Sequence, residues 1–80
     1  MQVNEVIQRL IEHSGMSANA MSAALGRSRE WARLTAKAAS PRLDTAASVA
    51  DVAGVDIVLV DRATGEPLGA VEPRKKEAAR

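Results

Sequence analysis

Apolar residues recur at intervals of three and four positions over the first part of the chain, which is the spacing of one helix face. The pattern predicts a first helix over about residues 3–14. Gly15 stands where a residue in the left-handed conformation would end it. The apolar positions on this face are Val3, Val6, Ile7, Leu10 and Ile11.

Two further helices are predicted on either side of Gly26. Ser17 is a good N-cap for a short helix over about residues 17–25. Ser28 is a second N-cap candidate, and Arg29–Ala39 contains no Gly or Pro and is rich in good helix formers. The sequence therefore predicts two helices joined by a tight turn at a glycine.

The predicted third helix has one apolar face and one charged stripe. Trp31 and Leu34 share the apolar face with Ala38. Trp31 is the only aromatic residue, and we expect it in the core, with base stacking as the alternative. The stripe has cations at steps of four and consists of Arg29, Arg33 and Lys37.

A fourth helix is predicted over about residues 41–53. Ser40 is its expected N-cap and Pro41 its first helical residue, because proline is favoured at that position. Gly54 ends the helical pattern.

The pattern then changes to that of a β-hairpin. Residues 55–61 are dense in β-branched side chains, Gly65 can take the positive φ of a turn, and residues 67–71 form a weaker second strand. The first strand is apolar on both faces, with Val58 and Val60 on one and Ile57 and Leu59 on the other.

A two-stranded ribbon with two apolar faces needs another surface to complete it. We expect the hairpins of two chains to meet through Ile57, Val58, Leu59 and Val60, by edge pairing or by face packing. The alternative is a hairpin that folds wholly onto its own helices.

Composition narrows these expectations. The chain of 80 residues allows one small domain, and 16 of its 37 apolar residues are alanine, so the core is thin. Either the helices pack closely through small residues, or part of the core is shared with a second chain. With no Cys and one His, neither thiolate chemistry nor a multi-histidine metal site is expected, and no cofactor or enzymatic activity is predicted.

No apolar run is long enough to span a membrane, and acidic Glu5 and Glu12 do not suit a secretion signal. A soluble protein of the cytoplasm, associated with the nucleoid, is therefore expected.

The net charge of +1 hides an uneven distribution. Residues 27–42 hold five cations against Glu30, whereas residues 43–72 hold one cation against six acids. A basic block inside a folded region is typical of a phosphate-facing surface, and an ordinary solvated helix face is the alternative. The last residues, 73–80, are also basic and are predicted to form a flexible tail.

The order and spacing of these features resemble the lambda-repressor/Cro-like family of helix-turn-helix regulators, the xenobiotic-response-element type. The resemblance covers about residues 3–54 and implies a compact helical DNA-binding domain, usually dimeric, that acts at operators. Where the family often has glutamine at the start of helix two, this chain has Ala18, with Asn19 as a substitute. The residues that carry the resemblance are Met16-Ser17, Met21, Leu25-Gly26, Ser28-Arg29, the run from Pro41 to Thr45, and Ala50 to Gly54, with Ser22 as the small residue at the helix crossing.

The resulting prediction is a mainly α protein: a four-helix helix-turn-helix domain over residues 1–54 and a dimerising β-hairpin over residues 55–72. As a homodimer it would bind an inverted-repeat operator in double-stranded DNA, with helix three in the major groove. The alternative is an antitoxin or accessory module that binds a partner protein through the same fold. The expected base or groove contacts are Ser28, Arg29, Glu30, Arg33 and Lys37, and the expected phosphate contacts are Ser17, Asn19, Arg27 and Arg42.

Overall fold

The computed structural model describes residues 1–73, so the predicted basic tail lies, except for Pro73, outside the described residues. Four helices are followed by a two-stranded antiparallel hairpin, which confirms the predicted fold class. None of the helices within the described residues has the length and hydropathy to cross a bilayer. The elements are α1 (Val3–Ser14), α2 (Ala18–Ala24), α3 (Trp31–Lys37), α4 (Leu43–Ala53), β1 (Val58–Val60) and β2 (Pro67–Ala70).

The ends of the first and last helices follow local signals in the sequence. Gly15 and Gly54 end α1 and α4 at φ values of 75° and 76°, and both backbone N–H groups donate back into their helix. Ser17 caps α2, because its Oγ accepts a hydrogen bond from the Ala20 N–H at 3.0 Å. These boundaries agree with the predicted ones.

The starts of α3 and α4 differ from the predictions. Helix α3 begins at Trp31, with Glu30 as N-cap, so Ser28 is not the cap and Arg29 lies in the preceding turn. Ser28 contributes through its backbone instead, since its carbonyl accepts from the Trp31 N–H at 3.0 Å. Helix α4 begins at Leu43 rather than at Pro41. The chain leaves α3 extended at Ala38, and it needs the residues up to 42 to turn toward α4.

The core is built largely from small side chains. Five of its nine buried apolar residues are alanines, on α3 and α4, which confirms that the helices pack closely through small residues. Trp31 packs against this core while remaining partly buried. Leu34, which the pattern places on the same face as Trp31, is instead 57% exposed. The larger buried residues are Ile7, Leu10, Met21 and Val49.

The hairpin extends from the helices and is not folded onto them. All strand residues are exposed, and the strands are shorter than predicted. Ile57, just before β1, packs against the core, and its carbonyl accepts from the Val71 N–H at 2.8 Å. Gly65 has the expected positive φ of 76° in the connecting turn. The hairpin is therefore anchored at its base alone.

Candidate nucleic-acid interface

Helices α2 and α3 are joined by a turn whose geometry depends on Gly26. This residue has a φ of 68°, and its N–H donates to the Ala23 carbonyl at 3.0 Å. The next N–H, of Arg27, donates to the Ser22 carbonyl at 2.8 Å. These bonds satisfy the last carbonyls of α2, and the Ser22 carbonyl also accepts from the Leu25 N–H at 3.2 Å. The chain then leaves α2 sharply enough to bring α3 back across it.

Ser22 holds the two helices together at their crossing. Its side chain is fully buried; its Oγ donates to the Ala18 carbonyl at 3.0 Å and accepts from the Ala32 N–H at 2.8 Å. The Ala32 N–H belongs to the first turn of α3, where backbone donors have no partner within the helix. The N-cap residue Glu30 makes no side-chain capping bond. Ser22 therefore caps α3 from the neighbouring helix.

The other end of α3 is held by a residue that sequence reasoning missed. Gln8 on α1 donates from Nε2 to the Ala36 carbonyl at 2.9 Å. Carbonyls in the last turn of a helix lack partners within it, so this bond fixes the C-terminal end of α3 against α1. The signal available in the sequence was weak, since Gln8 is a polar residue on an otherwise ordinary amphipathic helix.

We call the exposed cations of the turn, of α3 and of the start of α4 the cationic face. All five of its cations are exposed, but Arg29 lies in the turn before α3, so the predicted stripe of three cations on one helix is reduced to two. The guanidinium of Arg27 lies over the Trp31 ring, 5.3 Å from its centroid. The members are Arg27, Arg29, Arg33, Lys37 and Arg42.

Two of these cations are engaged by neighbouring carboxylates. Arg33 pairs with Glu30 at 2.6 Å, and Arg42 makes two hydrogen bonds of 3.1 Å to Asp44. The Arg33–Glu30 pair is half exposed on both sides, and exposed pairs contribute little to stability, so the pair can open at small cost. Within residues 1–73, the other three cations of the cationic face have no ion pair.

The remaining predicted contacts are all exposed. Ser17 already uses its Oγ as the cap of α2, which leaves its hydroxyl hydrogen for another acceptor. Asn19 lies in the first turn of the same helix, and Ser28 precedes α3. Because Ser22 joins α2 to α3, these polar groups belong to the same rigid unit as the cationic face.

The sequence pattern misassigned Leu34, which it placed on the apolar face of α3. It is exposed on α3 next to Arg33, and Lys37 follows three residues later on the same surface. A large apolar side chain among cations gives the cationic face a group able to contact other apolar atoms.

Residues 1–73 contain no group of three or more potential metal-ligating side chains. Comparison of the chain with protein-family models, with curated proteins and with solved structures finds no match in any of the three. The lambda-repressor/Cro-like resemblance therefore stays a prediction, carried by the residues named above.

Proposed function

We propose that this protein is a sequence-specific DNA-binding regulator, repressor-like in action, that works on DNA in the bacterial cytoplasm. The observation that carries the proposal is the exposed cationic face on and around α3, a helix that Ser22 locks against α2 at their crossing. A helix held in this way keeps one orientation, which reading base edges requires. Helix α3 has seven residues, and an α-helix, about 10–12 Å in diameter, fits a major groove about 12 Å wide.

The residues divide into two roles. Arg29, Arg33 and Lys37 face the groove, where an arginine can bind both acceptors of a guanine. Arg27 and Arg42 flank them and neutralise phosphates. Glu30 holds Arg33 in the free protein, and it can accept a hydrogen bond from a cytosine amino group once Arg33 turns to DNA.

Polar groups at the other side of the turn complete the interface. Ser17, Asn19 and Ser28 supply hydroxyl, amide and backbone donors of the kind that commonly bind phosphate oxygens. Contacts of this kind set the orientation of the protein on the duplex without reading its sequence.

The test is selection of bound sequences from random duplexes, followed by affinity measurements on the selected site. The double variant Arg29→Ala/Arg33→Ala should lose its preference for the selected site over random DNA while remaining folded. Arg9→Ala is the matched control, because Arg9 is an exposed cation on α1 that lies beside Val55 and Ile57, at the base of the hairpin. Its preference for the selected site should equal that of the unmodified protein. Specific binding that survives the double change would refute this choice of reading residues.

We propose further that the protein binds as a dimer to an inverted repeat, with half-sites about 34 Å apart. The exposed apolar strands of the hairpin support this arrangement, because such a surface is typical of a protein contact. The same observation favours a second candidate, an antitoxin or accessory module that binds a different protein. A chain that is monomeric and binds no duplex in the selection experiment would favour this second candidate.

A further inference from the structure

Arg27 and Trp31 are in contact across the turn between α2 and α3. The guanidinium of Arg27 lies 5.3 Å from the centroid of the Trp31 ring, within the range of a cation–π interaction. The carboxylate nearest to Arg27 in the sequence, that of Glu30, is paired with Arg33. Within residues 1–73 Arg27 has no ion pair, so the indole ring is the group that holds its charge.

The backbone fixes both residues of this contact. The Arg27 N–H donates to the Ser22 carbonyl at 2.8 Å, and the Trp31 N–H donates to the Ser28 carbonyl at 3.0 Å. Trp31 is partly buried and packs against the core, whereas Arg27 is exposed. The ring is therefore the fixed surface of the contact, and the long side chain of Arg27 is the group whose rotamers it restrains.

We infer that Trp31 is a positioning residue, which holds the guanidinium of Arg27 at the start of α3 in place to bind a DNA phosphate. A guanidinium that lies over an aromatic face keeps N–H donors at its edge, and these donors can bind two phosphate oxygens. Ordering a long side chain during binding costs free energy, and the ring orders this side chain before DNA arrives. The inference rests on the proposed function and adds Trp31 to its interface.

The contact also distinguishes this role from base stacking, the alternative that the sequence leaves open for Trp31. A base could stack on the covered face of the ring only by displacing Arg27 from it. The contribution of Trp31 to affinity should therefore depend on Arg27. It should also be the same on every DNA sequence, because phosphates are common to all duplexes.

The test is a double-mutant cycle on the affinity for duplex DNA, measured by fluorescence anisotropy of a labelled duplex. Arg27→Ala should weaken binding to the selected site and to random DNA by the same factor, and it should reduce the salt slope by about one. Trp31→Leu should weaken both roughly two- to fivefold with the salt slope unchanged, because it removes the ring and no cation. When Arg27 is already alanine, Trp31→Leu should have no further effect.

Two further variants serve as controls. Arg42→Ala is the matched background, because Arg42 is an exposed cation of the same face that pairs with Asp44, and there Trp31→Leu should keep its full effect. Trp31→Phe retains an aromatic face and should keep most of the affinity. If Trp31→Leu weakens binding equally with and without Arg27, the ring acts through α3 as a whole or through a base, and the inference is overturned.

A measurement on the unmodified protein without DNA tests the geometry directly. Nuclear magnetic resonance should show Overhauser contacts between the side-chain protons of Arg27 and the indole protons, together with ring-current shifts of the arginine signals. Absence of both would overturn the inference even if the Trp31 variants do not fold. A protein that shows the contact but binds no duplex would refute the proposed function, and with it the phosphate contact. Binding with additive losses would refute the role of Trp31 alone.

Discussion

Replacement of Ser22 by alanine should destabilise the fold more than any other single loss of a hydroxyl. The change removes the one acceptor of the Ala32 N–H, at 2.8 Å, and it leaves that donor in a site where both residues are fully buried. The lost bond to the Ala18 carbonyl matters less, because that carbonyl still accepts a bond from the α2 backbone. Alanine is a better helix former than serine, which offsets the loss by a few tenths of a kcal/mol.

The expected cost follows from the orphaned donor. A buried polar group without a partner costs about 1–3 kcal/mol, and the fully enclosed site puts Ser22→Ala near 2 kcal/mol, roughly. For a domain of this size, such a loss corresponds to a decrease of roughly 8–16 °C in melting temperature. The unfolded population at room temperature would rise about 30-fold.

The measurement is urea and thermal unfolding followed by circular dichroism, at one fixed protein concentration because the proposed association would also contribute to stability. Ser40→Ala is the matched control: Ser40 is exposed in the loop before α4, and a surface change of this kind stays within about 0.5 kcal/mol. If Ser22→Ala were as stable as that control, Ser22 would not be the cap of α3, and the argument for a locked helix pair would be wrong.

Three further changes test other parts of the structure. Gly54→Ala should lower the free energy of unfolding by about 1 kcal/mol, because alanine is strained in the left-handed conformation of this residue. An added Cβ meets nothing within 4 Å, so no steric clash contributes. An unchanged melting temperature would contradict this expectation. Gln8→Leu should weaken binding to the selected DNA without changing its salt dependence, since it frees the end of α3 but removes no cation; a shallower salt slope would argue against a positioning role. Replacing a thymine that Leu34 contacts by deoxyuridine, which lacks the methyl group, should weaken binding of the unmodified protein but not of Leu34→Ala. If no thymine in the site gives this difference between the two proteins, Leu34 does not face the bases.

The ends of α1 and α4 were predictable from the sequence because their causes are local. Gly15 and Gly54 take the left-handed conformation within their own helix ends, so no distant residue is needed to explain them. The start of α3 has a distant cause. Ser28 carries a valid local capping signal, but the donor of the first turn is satisfied by Ser22, ten residues before Ala32, and that contact exists only in the folded chain.

The candidate site, too, could be predicted only in part from the sequence. The concentration of cations between residues 27 and 42 could be read directly, and all five are exposed. Which side of α3 faces outward could not be read, because a helix of seven residues has only two turns from which to establish a period. The buried contacts of α3 are two alanines, so Leu34 is free to lie on the outer side although its hydropathy predicts burial.

The small apolar residues lie in the core, whereas several of the larger ones lie exposed on the hairpin. A core that relies on alanine gains little free energy per residue from burial, because each methyl group removes little apolar surface from water. The chain nevertheless contains larger apolar residues, and four of them, Val58, Leu59, Val60 and Leu68, are exposed on the hairpin. Their burial against a second chain would add the stabilisation that the single core lacks. In the proposed dimer, folding and association would be coupled, because the contact that sets the spacing of the two cationic faces would also bury these side chains.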